Sequence, residues 1–344
     1  MPFINDQLLD NQNNIEKRQH NPINSRFKFN VDFIMGLLRS RIIGQPQVIE
    51  QLENMLITLK ADFSDPNQPL AVVLLTGPTG VGKTETVRVI CEAIYQNTDA
   101  LCRIDMNTLA QEHYSAALLG APPGYVGSKE GHTLLDQEKI KGSFSKPGIV
   151  LLDEIEKADK QVCRSIMNIL DTGKLSLTSG QREIDFTNSI IFMTSNIGGN
   201  YSEIKPSIFT KIYNTIKNIK PKNTHNLDLS LRNHFDAEFI NRINYILQYS
   251  LLTKEHITQL IEVEIERLNS RLKRKFCSIS ITSKCKKRLA EYYDEKYGMR
   301  DIKRILKQKI EPLLARHILN KPQGHYVVDW DKGYQITAFN HEKK

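Results

Sequence analysis

Gly77-Pro78-Thr79-Gly80-Val81-Gly82-Lys83-Thr84 decides the reading of this chain. An apolar run, Leu70 to Leu75, precedes it, and a helix-period pattern opens directly on Lys83 and Thr84. Buried strand, glycine turn and helix in that order form a phosphate-cradling loop. The glycines let backbone N–H groups of Gly77 to Gly82 close around phosphates. Lys83 is suited to the β and γ oxygens, Thr84 offers a hydroxyl to Mg²⁺, and the helix N-terminus favours negative charge. The stretch predicts a nucleoside triphosphate site.

Working outward, short apolar strands alternate with helical segments: Leu101 to Asp105, Gly148 to Leu152, Ile190 to Thr194 and Tyr245 to Tyr249 follow the loop. That alternation predicts an α/β fold with a parallel sheet covered on both faces and its ligand at the strand carboxyl ends. Helical stretches at Val31 to Arg39 and Val48 to Lys60 come before it. After Leu251 the pattern changes to a long charged helix, Lys254 to Lys275, a short strand, Ser278 to Thr282, and two more helices, Ser283 to Tyr293 and Arg300 to Ile318. A closing hairpin turns at Asp331-Lys332-Gly333. The expected division is a polar arm over residues 1–28, a large nucleotide-binding domain over 29–250, and a small α-rich lid domain with a short sheet over 251–344.

Ile149 to Glu154 is the second signal, an apolar strand ending in two carboxylates. Asp153 is placed for the Mg²⁺ shell, and Glu154 is free to polarise an attacking water, a division that hydrolysis requires. Ile190 to Asn196 is a further strand with a polar end. If it lies beside the Asp-Glu strand, Asn196 falls between the water and the γ-phosphate.

The 344 residues carry 47 basic and 39 acidic side chains, a net charge of +8, with 40% hydrophobic and 25% charged residues. This is an ordinary globular composition, with no apolar run of membrane-spanning length and no apolar core of a secretory signal near the N-terminus. Cys91, Cys102, Cys163, Cys277 and Cys285 lack paired CxxC spacing, which favours reduced thiols in the cytoplasm over disulfides or structural zinc. Basic runs at Arg267 to Lys275 and Lys284 to Arg288 lack interleaved aromatics, so a solvated helix face is favoured over a nucleic-acid surface.

The order GPTGVGKT, LLDEIEKA, MTSN, EFINRI and YGMR resembles an AAA+ ATPase of the Clp (heat-shock disaggregase and unfoldase) family, more narrowly the second ATPase ring of its two-ring members. The resemblance runs from about Ile42 to Phe339. RIDM at Arg103 to Met106 and GAPPGYVG at Gly120 to Gly127 belong to that subgroup. It implies a homohexameric ring hydrolysing ATP with Mg²⁺. By the same resemblance, Ile42 and Ile43 flank the adenine, Arg242 reaches the γ-phosphate of the neighbouring subunit, and Arg300 reaches that of its own. Tyr125 and Val126, on a loop stiffened by Pro122 and Pro123, are implied to line the axial channel and grip unfolded polypeptide. Asp171 to Glu183 resembles a second, weaker channel loop.

The chain departs from that pattern at Ser128, Lys129 and Gly131-His132. Ser207-Ile208-Phe209-Thr210 lacks the glycine of the tripeptide that docks family members on a peptidase. The expectation is therefore a single-ring remodelling ATPase without a partner peptidase, guided by the arm, by the Asn200 to Asn233 insertion, or by an adaptor, and not bound to membrane. An AAA+ loader or motor acting on nucleic acid, and a nucleotide-gated scaffold with little turnover, are the competing readings.

Overall fold

The computed structural model describes residues 25–110, 134–177, 183–198, 224–294, 298–320 and 324–339. Five parallel strands form its centre: β1 (Ala71–Thr76), β2 (Leu101–Asp105), β3 (Gly148–Asp153), β6 (Ser189–Ser195) and β7 (Tyr245–Gln248), in the order β2-β3-β6-β1-β7. The two remaining strands of this part, β4 (Lys174–Ser176) and β5 (Glu183–Asp185), pair as an antiparallel hairpin outside the sheet. β1, β3 and β6 are buried along their full length, as sheets covered on both faces require. Alternation divides the core accordingly. Val73, Leu75, Ile149, Leu151, Ile190 and Phe192 face one apolar cluster, while Val72, Leu74, Val150, Leu152, Ile191 and Met193 face the other.

The first cluster is closed by α1 (Val31–Arg41), α2 (Pro46–Lys60) and α3 (Lys83–Tyr95); Leu38, Leu52, Leu56 and Ile90 are fully buried there. The second is covered by the short α4 (Gln137–Lys141) and by α5 (Lys160–Thr172), which buries Val162, Ile166, Ile169 and Leu170. α5 starts on an Asp159 cap and stops at Gly173 in the left-handed conformation. α6 (Thr224–Arg232) and α7 (Ala237–Ile240) add Leu231 and Phe239 to the same cluster.

After Tyr249 the chain turns into α8 (Lys254–Leu272), opened by a Thr253–His256 capping box. It continues through β8 (Cys277–Ile281), α9 (Ser283–Glu291), α10 (Met299–Ile305), α11 (Glu311–Asn320), β9 (Gly324–Trp330) and β10 (Tyr334–Phe339). β8 pairs parallel to β9, and β9 and β10 form the hairpin. The helix expected over Arg300 to Ile318 is interrupted between α10 and α11 by a π turn, Leu306–Ile310. Pro312 lies just beyond it. It has no N–H for the carbonyl of Gln308 and its ring crowds that turn, so the ladder widens there.

Within the span read as a polar arm, residues 25–28 are described. Phe27 is buried beside Phe29, with rings 5.8 Å apart, and Lys60 donates to the carbonyls of both residues. Part of the basic runs is neutralised on the surface: Arg267 pairs with Glu85 and Glu264, Arg271 with Glu311, Lys284 with Asp331, Lys286 with Glu262 and Arg288 with Glu291. None of the five cysteines is in a disulfide.

Candidate active site

The loop between β1 and α3 wraps the strand ends as its glycines require. Gly77, Gly80 and Gly82 all have positive φ, and a Cβ on Gly77 would meet the Tyr249 carbonyl at 2.8 Å. Below the loop Tyr249 is wholly buried, its hydroxyl 2.7 Å from that of Thr86. Burial in this apolar floor raises its pKa above the ordinary range for a phenol.

A cavity of about 530 Å³ opens above the loop. Thr79, Gly80, Gly82, Lys83 and Thr84 line one side, Asp153, Glu154 and Asn196 the strand ends, and Met299, Arg300 and Lys303 of α10 the other wall. The motifs 70 to 220 residues apart in the sequence thus meet in one place, because β3 and β6 are neighbours and β6 adjoins β1. A second, smaller cavity of about 60 Å³ shares Gly80, Gly82, Met299 and Lys303 with it; apolar Ile42, Ile43, Val81, Leu260 and Val263 line it together with charged Arg41, Glu85, Glu264 and Arg267.

Lys83 is 7% exposed and donates to the carbonyls of Gly77 (2.5 Å) and Pro78 (2.7 Å) and to Asn196 Oδ1 (3.0 Å). Desolvation lowers its pKa to about 8, against the pull of the Glu156, Asp153 and Glu154 carboxylates. Asn196 is oriented from behind: its backbone N–H and its side-chain amide both donate to Glu156 Oε1, at 3.1 and 3.2 Å. The amide oxygen is thereby turned toward Lys83, and toward the Thr79 hydroxyl at 3.5 Å. The second carboxylate oxygen of Glu156 is buried without a hydrogen-bond partner among the described residues.

Asp153 accepts from the hydroxyls of Thr84 (3.2 Å) and Thr194 (2.5 Å) at one oxygen, and from Arg103 Nε (3.1 Å) and Nη2 (2.6 Å) at the other. A hydroxyl and a carboxylate at a strand end form a hard-oxygen pair suited to Mg²⁺, which takes one or two protein oxygens and completes its shell with phosphate and water. The Arg103 guanidinium standing on the carboxylate shows that the position accepts a cation. Residues Thr84 and Asp153 therefore fit the ion; when bound, it neutralises charge on the β and γ oxygens.

Glu154 adopts a left-handed backbone, φ 59°, with its N–H on the Thr194 hydroxyl at 2.9 Å, and its carboxylate accepts from Asn107 Nδ2 at 2.5 Å. Left-handed backbone at a non-glycine residue costs of order 1–3 kcal/mol and persists where surrounding structure holds it. Here it aims a carboxylate into the cavity, where it can take a proton from water. Arg300 is exposed on the far wall and forms no ion pair among the described residues. Arg242 does not line this cavity. Its guanidinium is held by Asp171 at 2.6 Å, the Glu238 carbonyl at 2.7 Å and the Glu238 carboxylate at 3.1 Å, and the Asp171 hydrogen bond keeps it firmly charged.

Arg103, Asn107 and Glu156 took no role in the sequence reading, although each contacts a residue that did. Tyr125, Val126 and the altered positions Ser128, Lys129 and His132 lie outside the described residues, as do residues 178–182 of the second channel-loop segment.

Residues 68–246 match the family model described as AAA domain (Cdc48 subfamily), and residues 252–327 match the C-terminal, D2-small domain, of ClpB protein. The chain belongs to the Clp-type AAA+ ATPases. A Pseudomonas aeruginosa relative, "ATP-dependent protease ATP-binding subunit-like protein AmiB", is 36% identical over all of this chain and 98% of its own length. A Rhodococcus erythropolis "ATP-dependent protease ATP-binding subunit-like protein" is 36% identical, with 94% of each chain covered. The "Chaperone protein ClpB" of Oceanobacillus iheyensis is 34% identical over 87% of this chain, which spans 37% of that longer relative. As a Clp-type AAA+ protein the chain binds nucleotide and hydrolyses ATP; the cavity between β1, β3, β6 and α10 brings together Lys83, Thr84, Asp153, Glu154, Asn196 and Arg300.

Proposed function

We propose that this Clp-type ATPase is a protein-remodelling machine, a homohexamer that threads polypeptide through its axial channel at the expense of ATP and acts without a partner peptidase. The carrying observation is that one cavity has two owners: the phosphate loop and strand ends on one side, and α10 with Arg300 and Lys303 on the other. A nucleotide seated there touches both, so its γ-phosphate sets the angle between a large domain over residues 29–250 and a lid over residues 251–344.

In this reading Gly77 to Thr84 with Ile42 and Ile43 hold ATP, and Thr84 and Asp153 hold its Mg²⁺. Glu154 accepts the proton of the attacking water, Asn196 positions that water, and Arg300 reports the γ-phosphate to the lid. Arg242, which does not line its own cavity, serves the next subunit. Guanidinium donors stabilise the charge on transferred phosphoryl oxygens, and one supplied in trans ties turnover to ring closure. Tyr125 and Val126 grip the substrate through apolar contact that any polypeptide can satisfy.

The chaperone name of the Oceanobacillus relative supports a protein substrate. The protease-subunit names of the two full-length relatives point toward a peptidase, and against this stands the missing glycine in Ser207 to Thr210. Free thiols fit the cytoplasm, and none of the described helices is long and apolar enough to cross a membrane. The decisive comparison is Tyr125→Ala. It should hydrolyse ATP normally yet fail to unfold a tagged reporter protein; unfolding at the unsubstituted rate removes the threading reading. Stimulation of the ATPase by single-stranded DNA beyond that by unfolded casein would instead select the nucleic-acid alternative.

A further inference from the structure

Arg103 stands in the exposed middle of β2, an edge strand, opposite Leu151 of β3 and two positions short of Asp153. Its two donors converge on a single carboxylate oxygen of Asp153, at 3.1 and 2.6 Å, and it lines the nucleotide cavity. The other oxygen of Asp153 is already occupied by the Thr84 and Thr194 hydroxyls. Asp153 is 10% exposed at its side chain and Arg103 42%, so the carboxylate is fixed and the guanidinium has room to leave. The Oδ2 atom of Asp153, one of the two oxygens it could offer a metal shell, is thus covered by the guanidinium.

We propose that Arg103 is the resident counter-ion of Asp153 and competes with the divalent cation for it. The guanidinium satisfies a nearly buried carboxylate. It must rotate off the carboxylate before that oxygen can serve the metal shell. Once displaced, Arg103 remains in the cavity wall beside Lys83 and Arg300, where the phosphates carry the compensating charge. Arg103 is therefore a positioning residue that sets the metal concentration at which the site loads. The inference rests on the reading of Thr84 and Asp153 as the metal pair.

The sign of one measurement separates competition from support. Mn²⁺ is titrated into purified protein saturated with ADP, and free Mn²⁺ is read by its electron paramagnetic resonance signal, for the unsubstituted chain, Arg103→Met and Arg103→Lys. Competition predicts that Arg103→Met binds the metal about three- to tenfold tighter, with Arg103→Lys, a point charge without the planar fork, in between. Thermal melting of the same proteins should show Arg103→Met less stable without metal and more strongly stabilised by adding it. Unchanged or weaker metal binding in both variants overturns the proposal, since a purely architectural arginine can only lose affinity when removed. If Arg103→Met does not fold, the Arg103→Lys titration alone decides by the same sign. If ADP recruits no metal to the unsubstituted protein, and ADP affinity is indifferent to Mg²⁺, then the metal pair itself is wrong and the competition falls with it.

Discussion

Gly80 of the phosphate loop and Gly298 at the start of α10 touch backbone to backbone. A Cβ built on Gly80 would lie 2.8 Å from the Gly298 Cα, and one built on Gly298 would lie 2.7 Å from the Gly80 Cα and from the Thr79 carbonyl. Gly298 has φ 59° and ψ −145°, a conformation open essentially to glycine alone. Two glycines far apart in the chain therefore let the lid rest directly on the loop that cradles phosphate.

Gly298→Ala should push α10 off the loop. The backbone term alone is about 1–3 kcal/mol, and the clash adds to it. We expect a lower melting temperature and nucleotide binding weakened at least tenfold, with the isolated fold otherwise intact by circular dichroism. Gly80→Ala should behave alike. An unchanged affinity for a fluorescent ADP in both variants would contradict the direct contact.

Glu156 is expected to matter without touching nucleotide. It orients Asn196 through two hydrogen bonds, and Asn196 in turn faces Lys83. Glu156→Ala leaves the amide free to turn, and turnover should fall by about one to two orders of magnitude, the usual scale for a misplaced catalytic group, with ADP affinity changed much less. Steady-state phosphate release beside equilibrium binding measures the split.

Lys83 makes ADP binding depend on pH. Its pKa in the empty site is about 8 because burial disfavours the cation, and phosphate restores the charge. Near pH 8 about half of the empty sites hold a neutral lysine, so binding should take up about half a proton and weaken as pH rises further. For folding the sign is the reverse: the native state binds fewer protons than the unfolded chain between about 8 and the ordinary lysine value of 10.5, so this group favours the fold increasingly across that window. Calorimetry in buffers of different ionisation enthalpy reads the uptake. No uptake at pH 8 would mean that the lysine stays charged in the empty site.

Arg242→Ala should abolish turnover, by about 10³–10⁵ as for other trans arginines, while ADP binding persists. Mixed with Glu154→Gln it should regain activity, since about a quarter of the interfaces in a random ring unite an intact Arg242 with an intact Glu154. A mixture as inactive as either parent would place Arg242 in its own subunit's chemistry.

The sheet, its strand ends and the lid elements were legible in the residues because each carries its own period, cap or glycine turn. Leu101 to Asp105 is predicted and observed with the same bounds. That Lys83, Thr84, Asp153, Glu154 and Asn196 come together in one cavity was legible as well, since each ends or follows a strand and strand ends converge. Arg103, Asn107 and Glu156 were not. Arg103 meets Asp153 across 50 positions and Asn107 meets Glu154 across 47, and those contacts exist only once β2 lies beside β3. Glu156 acts through a one-turn 3₁₀ segment, Ile155–Lys157, that bends it back under β6. The burial of Phe27 was not legible, because an isolated aromatic within a polar stretch carries no period and packs only through Phe29 and Lys60.

Gln45 is 2% exposed and exchanges two hydrogen bonds with the backbone of Ser250, at 2.9 and 2.8 Å, immediately beyond the buried Tyr249 that props Thr86. The crossing from one body to the other is thus clamped where it begins. A torque on the lid cannot dissipate in a slack joint; it must pass into the pivot at Tyr249, and from there into the helix that carries Lys83 and Thr84.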